Sequence, residues 1–176
     1  IDKVAYAFAD TDTDSARVNE APRLEYVISL IQQAREVVEQ ARKAKALAVE
    51  HASIARLREE YASDAAETAI SASEMLPELK TDFIIYRGQM RNDLRQGLGV
   101  LRYAGSEQRF EGVFQLDQFS LGVFYIDTGI SYSGEFAEKV KSGHGVMKNN
   151  SVTYSGQFAH GEMSGYGIQQ ENGSYE

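Results

Sequence analysis

The chain of 176 residues contains no cysteine and no tryptophan, and it has only two prolines. Without cysteine it can form no disulfide framework, no thiolate nucleophile and no cysteine-ligated zinc site. No apolar run approaches the roughly 18 to 20 residues that a membrane-spanning helix needs, so we predict no transmembrane segment. The net charge is −8 and there is no basic stripe of the kind that binds nucleic acid, so we predict no nucleic-acid partner.

Glycine is missing from the first half of the chain, since all 15 glycines lie at or after Gly88. The charges are also unevenly divided. Residues 1–85 carry 10 Lys and Arg against 16 Asp and Glu, whereas residues 86–176 carry 8 against 10. The two halves are therefore built differently, and we expect different secondary structure in each.

A five-residue pattern occurs four times after residue 85, with starts 24, 22 and 22 residues apart. Each copy has an aromatic residue, a glycine two positions later, and Phe or Met two positions after that. A fixed period in this range is typical of a repeat array. Residues i, i+2 and i+4 of a strand share one face, so stacked copies predict two aromatic ladders with a glycine row between them. In this arrangement a ring from the neighbouring repeat would cover each glycine gap. The predicted repeat positions are Tyr86, Gly88, Phe110, Gly112, Phe114, Tyr132, Gly134, Phe136, Tyr154, Gly156, Phe158, Gly165 and Gly167.

Each copy of the pattern is followed by a second strand signal and a turn residue. Glycine pairs enclose one residue at 97–99, 143–145 and 165–167, and a short apolar or mixed run follows each pair. The predicted turn residues are Gly105, Gly129, Asn150 and Gly173, because Gly and Asn accept the positive φ of tight turns. Each unit is thus predicted to be a β-hairpin, and the hairpins must stack into one elongated antiparallel sheet to be stable.

This block resembles the MORN repeat (membrane occupation and recognition nexus), whose pattern is close to Y-x-G-x-W-x-x-G-x-x-H-G-x-G. Repeat four matches best, with Phe158 in place of Trp and Ser164 in place of His. Repeats one and three replace the middle glycine with Asp93 and Lys139, and repeat two is degenerate. The resemblance implies a role in assembly, dimerisation, or cytoskeletal or membrane-adjacent organisation.

Residues 22–75 are predicted to be helical, because no Gly or Pro interrupts them after Pro22 and good helix formers dominate. Either one helix of about 54 residues or a helix pair with a turn near residues 43–52 fits the sequence. Small residues fill 62–73, which indicates either a tight docking surface or plain helix propensity. Apolar residues recur three or four positions apart in two stripes. The stripes are Leu24, Val27, Ile31, Ala34, Val38 and Ala41, then Leu47, Ile54, Leu57, Tyr61 and Ala65.

The predicted fold class is therefore α+β, with a long N-terminal helix or helical hairpin followed by an elongated antiparallel sheet of stacked MORN hairpins. We expect an extended arm at 1–21, a coiled-coil-like helical segment with a linker at 22–82, and the repeat array at 83–176. The chain starts at Ile1 and ends where a fifth repeat should open. We therefore expect a processed start, a segment of a longer protein, or both.

No residue constellation predicts an active site, a cofactor or a metal centre. Asp10, Asp12 and Asp14 have the spacing of a calcium loop, but Ser15 and Ala21 occupy the positions of its Gly and Glu. His144 and His160 are predicted to be solvated histidines in hairpin loops.

One local basic patch occurs in repeat one and its flank. It could meet an anionic lipid surface or an acidic partner, or it could be a solvated rim. The candidate residues for anionic-surface binding are Arg87, Arg91 and Arg95.

Three functions fit these features. The leading hypothesis is a non-enzymatic scaffold or accessory subunit that binds protein partners, or a second copy of itself, through residues 22–75. It would act in the cytoplasm, on the cytoskeleton, or at the periphery of an organellar membrane. The alternatives are a phospholipid-surface module and the regulatory part of a larger enzyme, because similar repeats occur beside lipid kinase and lysine methyltransferase domains.

Overall fold

The structure, a computed structural model, describes the backbone of residues 13–172 and the side chains of residues 24–172. Its helix, α1, is a single element that spans Thr13–Ser73, so the alternative of a helix pair with a turn near residues 43–52 is wrong. The chain divides into two units, residues 1–43 and 44–176, whose boundary lies within this helix.

The helix begins at Thr13, earlier than the predicted start at Pro22, so residues 13–21 of the predicted extended arm are helical. Residues 1–12, which include Asp10 and Asp12, lie outside the described part of the chain. The division into arm, helical segment and repeat array remains a prediction.

Nine strands follow the helix and form one antiparallel sheet, in which every strand pairs with its neighbours in sequence. The predicted α+β fold of a long helix and stacked hairpins is confirmed. The first strand, β1, was not predicted: it lies in the segment that we expected to be a linker. The strands are β1 (Glu78–Lys80), β2 (Ile84–Arg91), β3 (Leu94–Tyr103), β4 (Arg109–Gln115), β5 (Gln118–Asp127), β6 (Ile130–Ala137), β7 (Val140–Lys148), β8 (Val152–Ala159) and β9 (Glu162–Glu171).

A continuous row of glycines crosses the sheet from β2 to β9, as the repeat spacing predicts. Each glycine of the row is in register with the next one. The row consists of Gly88, Gly99, Gly112, Gly122, Gly134, Gly145, Gly156 and Gly167.

The rings that cover this row were predicted to come from neighbouring repeats, and that prediction is wrong. Each hairpin covers its own glycine pair: the Tyr132 ring, for example, lies against Gly134 and Gly145. In three repeats a local hydrogen bond helps to hold the ring there, because the Tyr132 hydroxyl donates to the backbone oxygen of Glu135 at 2.9 Å and Tyr86 and Tyr154 make the same bond. Phe110 of repeat two has no hydroxyl but also lies against its own pair, Gly112 and Gly122. Burial raises the pKa of Tyr86 to about 12, so this hydroxyl stays protonated and donating at neutral pH.

Neighbouring repeats meet through edge-to-face aromatic contacts on this side of the sheet. Tyr86 packs against Phe114, Phe110 against Phe136, and Tyr132 against Phe158, with ring centroids 4.8–5.3 Å apart. Of the seven predicted rings, Phe136 and Tyr154 are half-buried and the other five are buried. The aromatic side therefore forms the core that joins one hairpin to the next.

Four two-residue turns close the hairpins at one edge, and in each of them both residues have positive φ. This is the turn geometry that matches the twist of paired strands. The position of the family's middle glycine is the second turn residue, which is Gly161 in repeat four and Asp93 and Lys139 in repeats one and three. At the opposite edge, Gly105 and Gly129 also adopt positive φ in connections between strands, whereas Gly173 lies outside the described residues.

A second local feature of the hairpins was missed in the sequence. The residue after the first glycine of the motif is Gln89, Glu135 or Gln157 in repeats one, three and four. Its side-chain oxygen accepts a hydrogen bond from a backbone N–H of the next strand, at 2.8–2.9 Å. That N–H follows a glycine with positive φ in each case. Repeat two has Val113 at this position and Ser120 in place of the glycine, so the two features are lost together.

Candidate interaction surfaces

The second part of the helix packs on the sheet face opposite the aromatic core. Its buried positions alternate three and four residues apart, which places them along one side of a helix. All but one are small, and Glu59 is half-buried among them. The series is Ala52, Ala55, Glu59, Ala62, Ala66, Ala69 and Ser73. Of the two explanations for the small residues of 62–73, the docking surface is the one that this burial supports.

The sheet meets this helix with a row of small side chains, which we call the valine–serine row. Its members are in register on successive strands and all are buried. They are Val100, Glu111, Val123, Ser133, Val146 and Ser155. One heptad of helix rises about 10.5 Å and one hairpin is about 9.6 Å wide, so the helix repeat nearly matches the sheet repeat. Small residues at this spacing let the helix lie close to hairpin after hairpin.

Polar contacts flank this interface along its length. The Arg58 Nε lies 3.1 Å from the Glu135 Oε1. Glu59 pairs with Lys148. Glu135 also accepts the His144 backbone N–H through its other carboxylate oxygen, so it holds the helix and its own hairpin together. These contacts fix which part of the helix faces which repeat.

A histidine pair closes the interface near its N-terminal end. The His51 Nδ1 lies 2.9 Å from the His144 Nε2, and the Tyr166 ring lies nearly parallel to the His51 ring with the two centroids 5.8 Å apart. His144 was predicted to be a solvated loop residue, which is wrong: it lies in β7 and faces the helix because β7 continues through the glycine pair. His160 is exposed in its turn, as predicted.

Burial lowers the pKa of His144, and the nearby charges of His51 and Arg58 lower it further, while Glu135 opposes them. A hydrogen bond between two imidazoles needs one ring nitrogen without a proton. The lowered pKa of His144 favours its neutral form, in which one of its two ring nitrogens carries no proton.

A buried carboxylate lies within the valine–serine row. The Glu111 side chain is only 5% exposed and accepts a hydrogen bond from the Arg109 Nε at 2.8 Å. The Arg109 guanidinium lies 3.6 Å above the centre of the Tyr125 ring. Arginine is thus held on one side by a carboxylate and on the other by an aromatic face, which is how a buried charge is usually satisfied. Sequence reasoning missed this cluster, because Arg109 meets Tyr125 only through the register of β4 and β5.

In the unit of residues 1–43, the described side chains of the helix leave an apolar surface exposed. We call residues 24–43 the open stripe. Its large apolar side chains are 45–66% exposed. They are Leu24, Tyr26, Val27, Ile28, Leu30, Ile31, Val37 and Val38. Isolated exposed apolar residues are normal, but so many on one helix mark a surface that another element covers.

The three arginines proposed for an anionic surface have different surroundings. Arg87 pairs with Glu78 at 2.9 Å, and Arg95 pairs with Asp117 at 2.8 Å. The Arg95 guanidinium also lies near the rings of Tyr86 and Phe114. Among the described residues Arg91 forms no ion pair and is exposed. Binding to an anionic surface through these residues remains a prediction.

Within residues 13–172, no helix is both long and apolar enough to cross a membrane. In the same part of the chain, no group of three or more histidine or acidic side chains is close enough together to hold a metal ion.

Comparison with known proteins identifies the repeat units. The family model of the MORN repeat matches residues 86–106, 132–151 and 154–175, which are repeats one, three and four. Repeat two is not among the matched segments, although β4 and β5 form a hairpin with the same glycine register. No curated protein matches the chain. MORN repeats serve as interaction and membrane-binding modules and are generally non-catalytic. With three matched segments in one stacked sheet, this chain is a MORN-repeat protein.

Proposed function

We propose that this protein is a non-enzymatic scaffold or accessory subunit that joins a larger assembly through its long helix. The observation that carries the proposal is the open stripe at residues 24–43, whose large apolar side chains are about half exposed. Burying a fully exposed side chain of this kind is worth about 1.5–3 kcal/mol, and these are about half exposed, so a partner that covers several of them would still gain free energy.

The two parts of the helix have different surroundings, which fits one part that packs on the sheet and one part that binds a partner. Residues 52–73 bury their small side chains against the repeat array, which anchors the helix to the rest of the protein. The open stripe has no such cover among the described residues. A surface of this kind fits a subunit whose partner is another protein, in the cytoplasm, on the cytoskeleton or at the periphery of an organellar membrane.

The test measures the size of the native assembly that contains the protein. Extracts of cells that carry the wild-type chain or the double variant Ile31→Glu and Val38→Glu are separated by sedimentation, and the chain is detected in each fraction. We expect the wild type in an assembly well above the mass of a single chain and the double variant near that mass. The control is the double variant Gln33→Glu and Gln40→Glu, which adds the same two negative charges two residues after Ile31 and Val38 in the chain. Wild type and double variant in the same fractions would exclude the proposal.

A further inference from the structure

The open stripe and the part of the helix that packs on the sheet share one heptad phase. Alternating steps of four and three residues back from Ala52 lead through the middle of the open stripe. These steps reach Ala48, Lys45, Ala41, Val38, Ala34, Ile31, Val27 and Leu24. The open stripe thus continues, in sequence, the pattern of an interface that is already seen in this protein.

One position of the heptad is alanine six times in succession: Ala34, Ala41, Ala48, Ala55, Ala62 and Ala69. The last three of these are fully buried against the sheet, with exposures of 0%. Two-stranded coiled coils favour Leu at one core position of each heptad, because a large side chain fills the hole in the facing helix. Alanine leaves that hole empty but lets a helix lie close to a flat surface. The alanine position of the open stripe therefore suits a sheet as the partner, although the other core position carries Leu24, Ile31 and Val38 where the sheet-bound part has Ala52, Glu59 and Ala66.

Arg35 and Arg42 flank the stripe at the same heptad position, and the Arg42 guanidinium lies 3.9 Å from the Glu39 carboxylate. A second copy of this chain offers the stripe no free sheet face, because its valine–serine row is already covered by its own helix.

The sheet-bound part of the helix shows what such arginines contact. Arg56 has the same heptad position as Arg35 and Arg42, and its guanidinium lies 3.5 Å from the Gln170 Oε1 in β9. Arg58, on the other flank, pairs with Glu135. Amide and carboxylate oxygens at the rim of a MORN sheet are therefore complementary to this stripe.

We propose that residues 24–48 are a second sheet-docking segment, and that their partner is the free face of a sheet of MORN-type hairpins in another chain. The partner sheet would present small side chains in a row, with amide or carboxylate side chains beside it. This proposal rests on the proposed function and names the class of partner.

The test uses a helix-free MORN array as the probe. The probe is four tandem copies of residues 154–175, the repeat that contains Gln157 and Gln170, and its β-structure is checked by circular dichroism before use. The full chain is titrated with the probe and the complex is measured by sedimentation velocity and calorimetry. We expect a one-to-one complex that Val38→Glu weakens at least tenfold. Gln40→Glu, about 200° further round the helix, should leave the affinity unchanged.

The possible outcomes separate this inference from the proposed function. If the probe does not bind, but the chain associates with itself and Val38→Glu removes that association, the stripe pairs with a helix and the inference is wrong. If the probe binds equally to wild type and Val38→Glu, the inference is wrong as well. If the native assembly depends on the stripe while the probe fails to bind, the proposed function is supported, but the inference that the partner is a MORN-type sheet is wrong.

Discussion

At the scale of single residues, the fold requires glycine at particular positions of the sheet, because any side chain there would meet a packed aromatic ring. A Cβ added at Gly145 would lie 2.6 Å from carbon atoms of the Tyr132 ring, which no real Cβ contact allows. The ring cannot move away easily, because it is buried and its hydroxyl shares its one proton between the backbone oxygens of Glu135 and Ser142. The packing of the aromatic rings on the sheet therefore requires glycine at the positions beneath them.

We predict that Gly145→Ala lowers the free energy of unfolding by about 1–3 kcal/mol, the usual cost of an overfilled core. Thermal and urea unfolding measure this loss. Gly105→Asn is the control, because a side chain there meets open space and Asn tolerates the positive φ of 74°. Equal stability of Gly145→Ala and wild type would show that the rings do not need the row.

The two-residue turns carry strain that a single substitution should relieve. Lys139 has a φ of 66°, a conformation that costs a residue with a side chain about 1–2 kcal/mol. Glycine adopts this conformation without that cost, but it also makes the unfolded chain more flexible, which cancels part of the gain. Lys139→Gly should therefore raise the free energy of unfolding by about 0.5–1 kcal/mol. The matched change in repeat four, Gly161→Ala at a φ of 86°, should lower it. A loss of stability on Lys139→Gly would contradict the turn assignment.

At the scale of elements, the helix and the sheet fit each other through small side chains and one histidine pair. Ala62 is fully buried at this interface, and Glu59 and Arg58 beside it pair with the sheet. The interface combines close packing with polar contacts at its sides, so it should be sensitive to both added volume and pH.

Added volume is tested at Ala62. We predict that Ala62→Leu destabilises the docked helix by about 1–3 kcal/mol, because three more carbon atoms have no space between helix and sheet. Faster amide hydrogen exchange in residues 52–73 would report the loss. Ala46→Leu makes the same change at an exposed helix position and should be neutral. If both variants exchange like the wild type, the helix is not closely packed on the sheet.

The histidine pair predicts a pH dependence. Burial, helped by His51 and Arg58, places the pKa of His144 below its ordinary value of about 6.5, so the unfolded chain binds this proton more tightly than the folded one. Folding stability from His144 is therefore complete above that value and is lost as the pH falls through the folded-state pKa. Unfolding midpoints between pH 7.5 and 5 should fall less in His144→Gln than in wild type. His160→Gln, in an exposed turn, should follow the wild type, and an identical fall in all three proteins would contradict the account.

The repeat array was predictable because its signal is local. The glycine spacing around Tyr132 and Tyr154 determines a strand period, and strand geometry then predicts stacked hairpins. The role of Glu135 and Gln157 was missed because a single Gln or Glu beside a glycine has no distinctive pattern until the repeats are aligned. The position of His144 was predicted wrongly, because its contact with His51 is not local in sequence.

At the scale of the whole molecule, the length of the helix was visible in its composition, but its division into two kinds of surface was not. Exposed and buried parts of the helix share one heptad pattern, so periodicity alone could not separate Val38, which is half exposed, from Ala52, which is buried. The structure divides them, since residues 52–73 lie on the sheet and the open stripe is uncovered among the described residues. The open stripe is therefore the proposed surface for another protein.

Amide hydrogen exchange of residues 24–48 tests that claim most directly, compared between the purified chain and the native assembly that contains it. We expect exchange at least tenfold slower in the assembly for these residues, with little change in residues 52–73, which are already packed on the sheet. Equal exchange of residues 24–48 in both samples would show that no partner covers the stripe, and it would contradict the account.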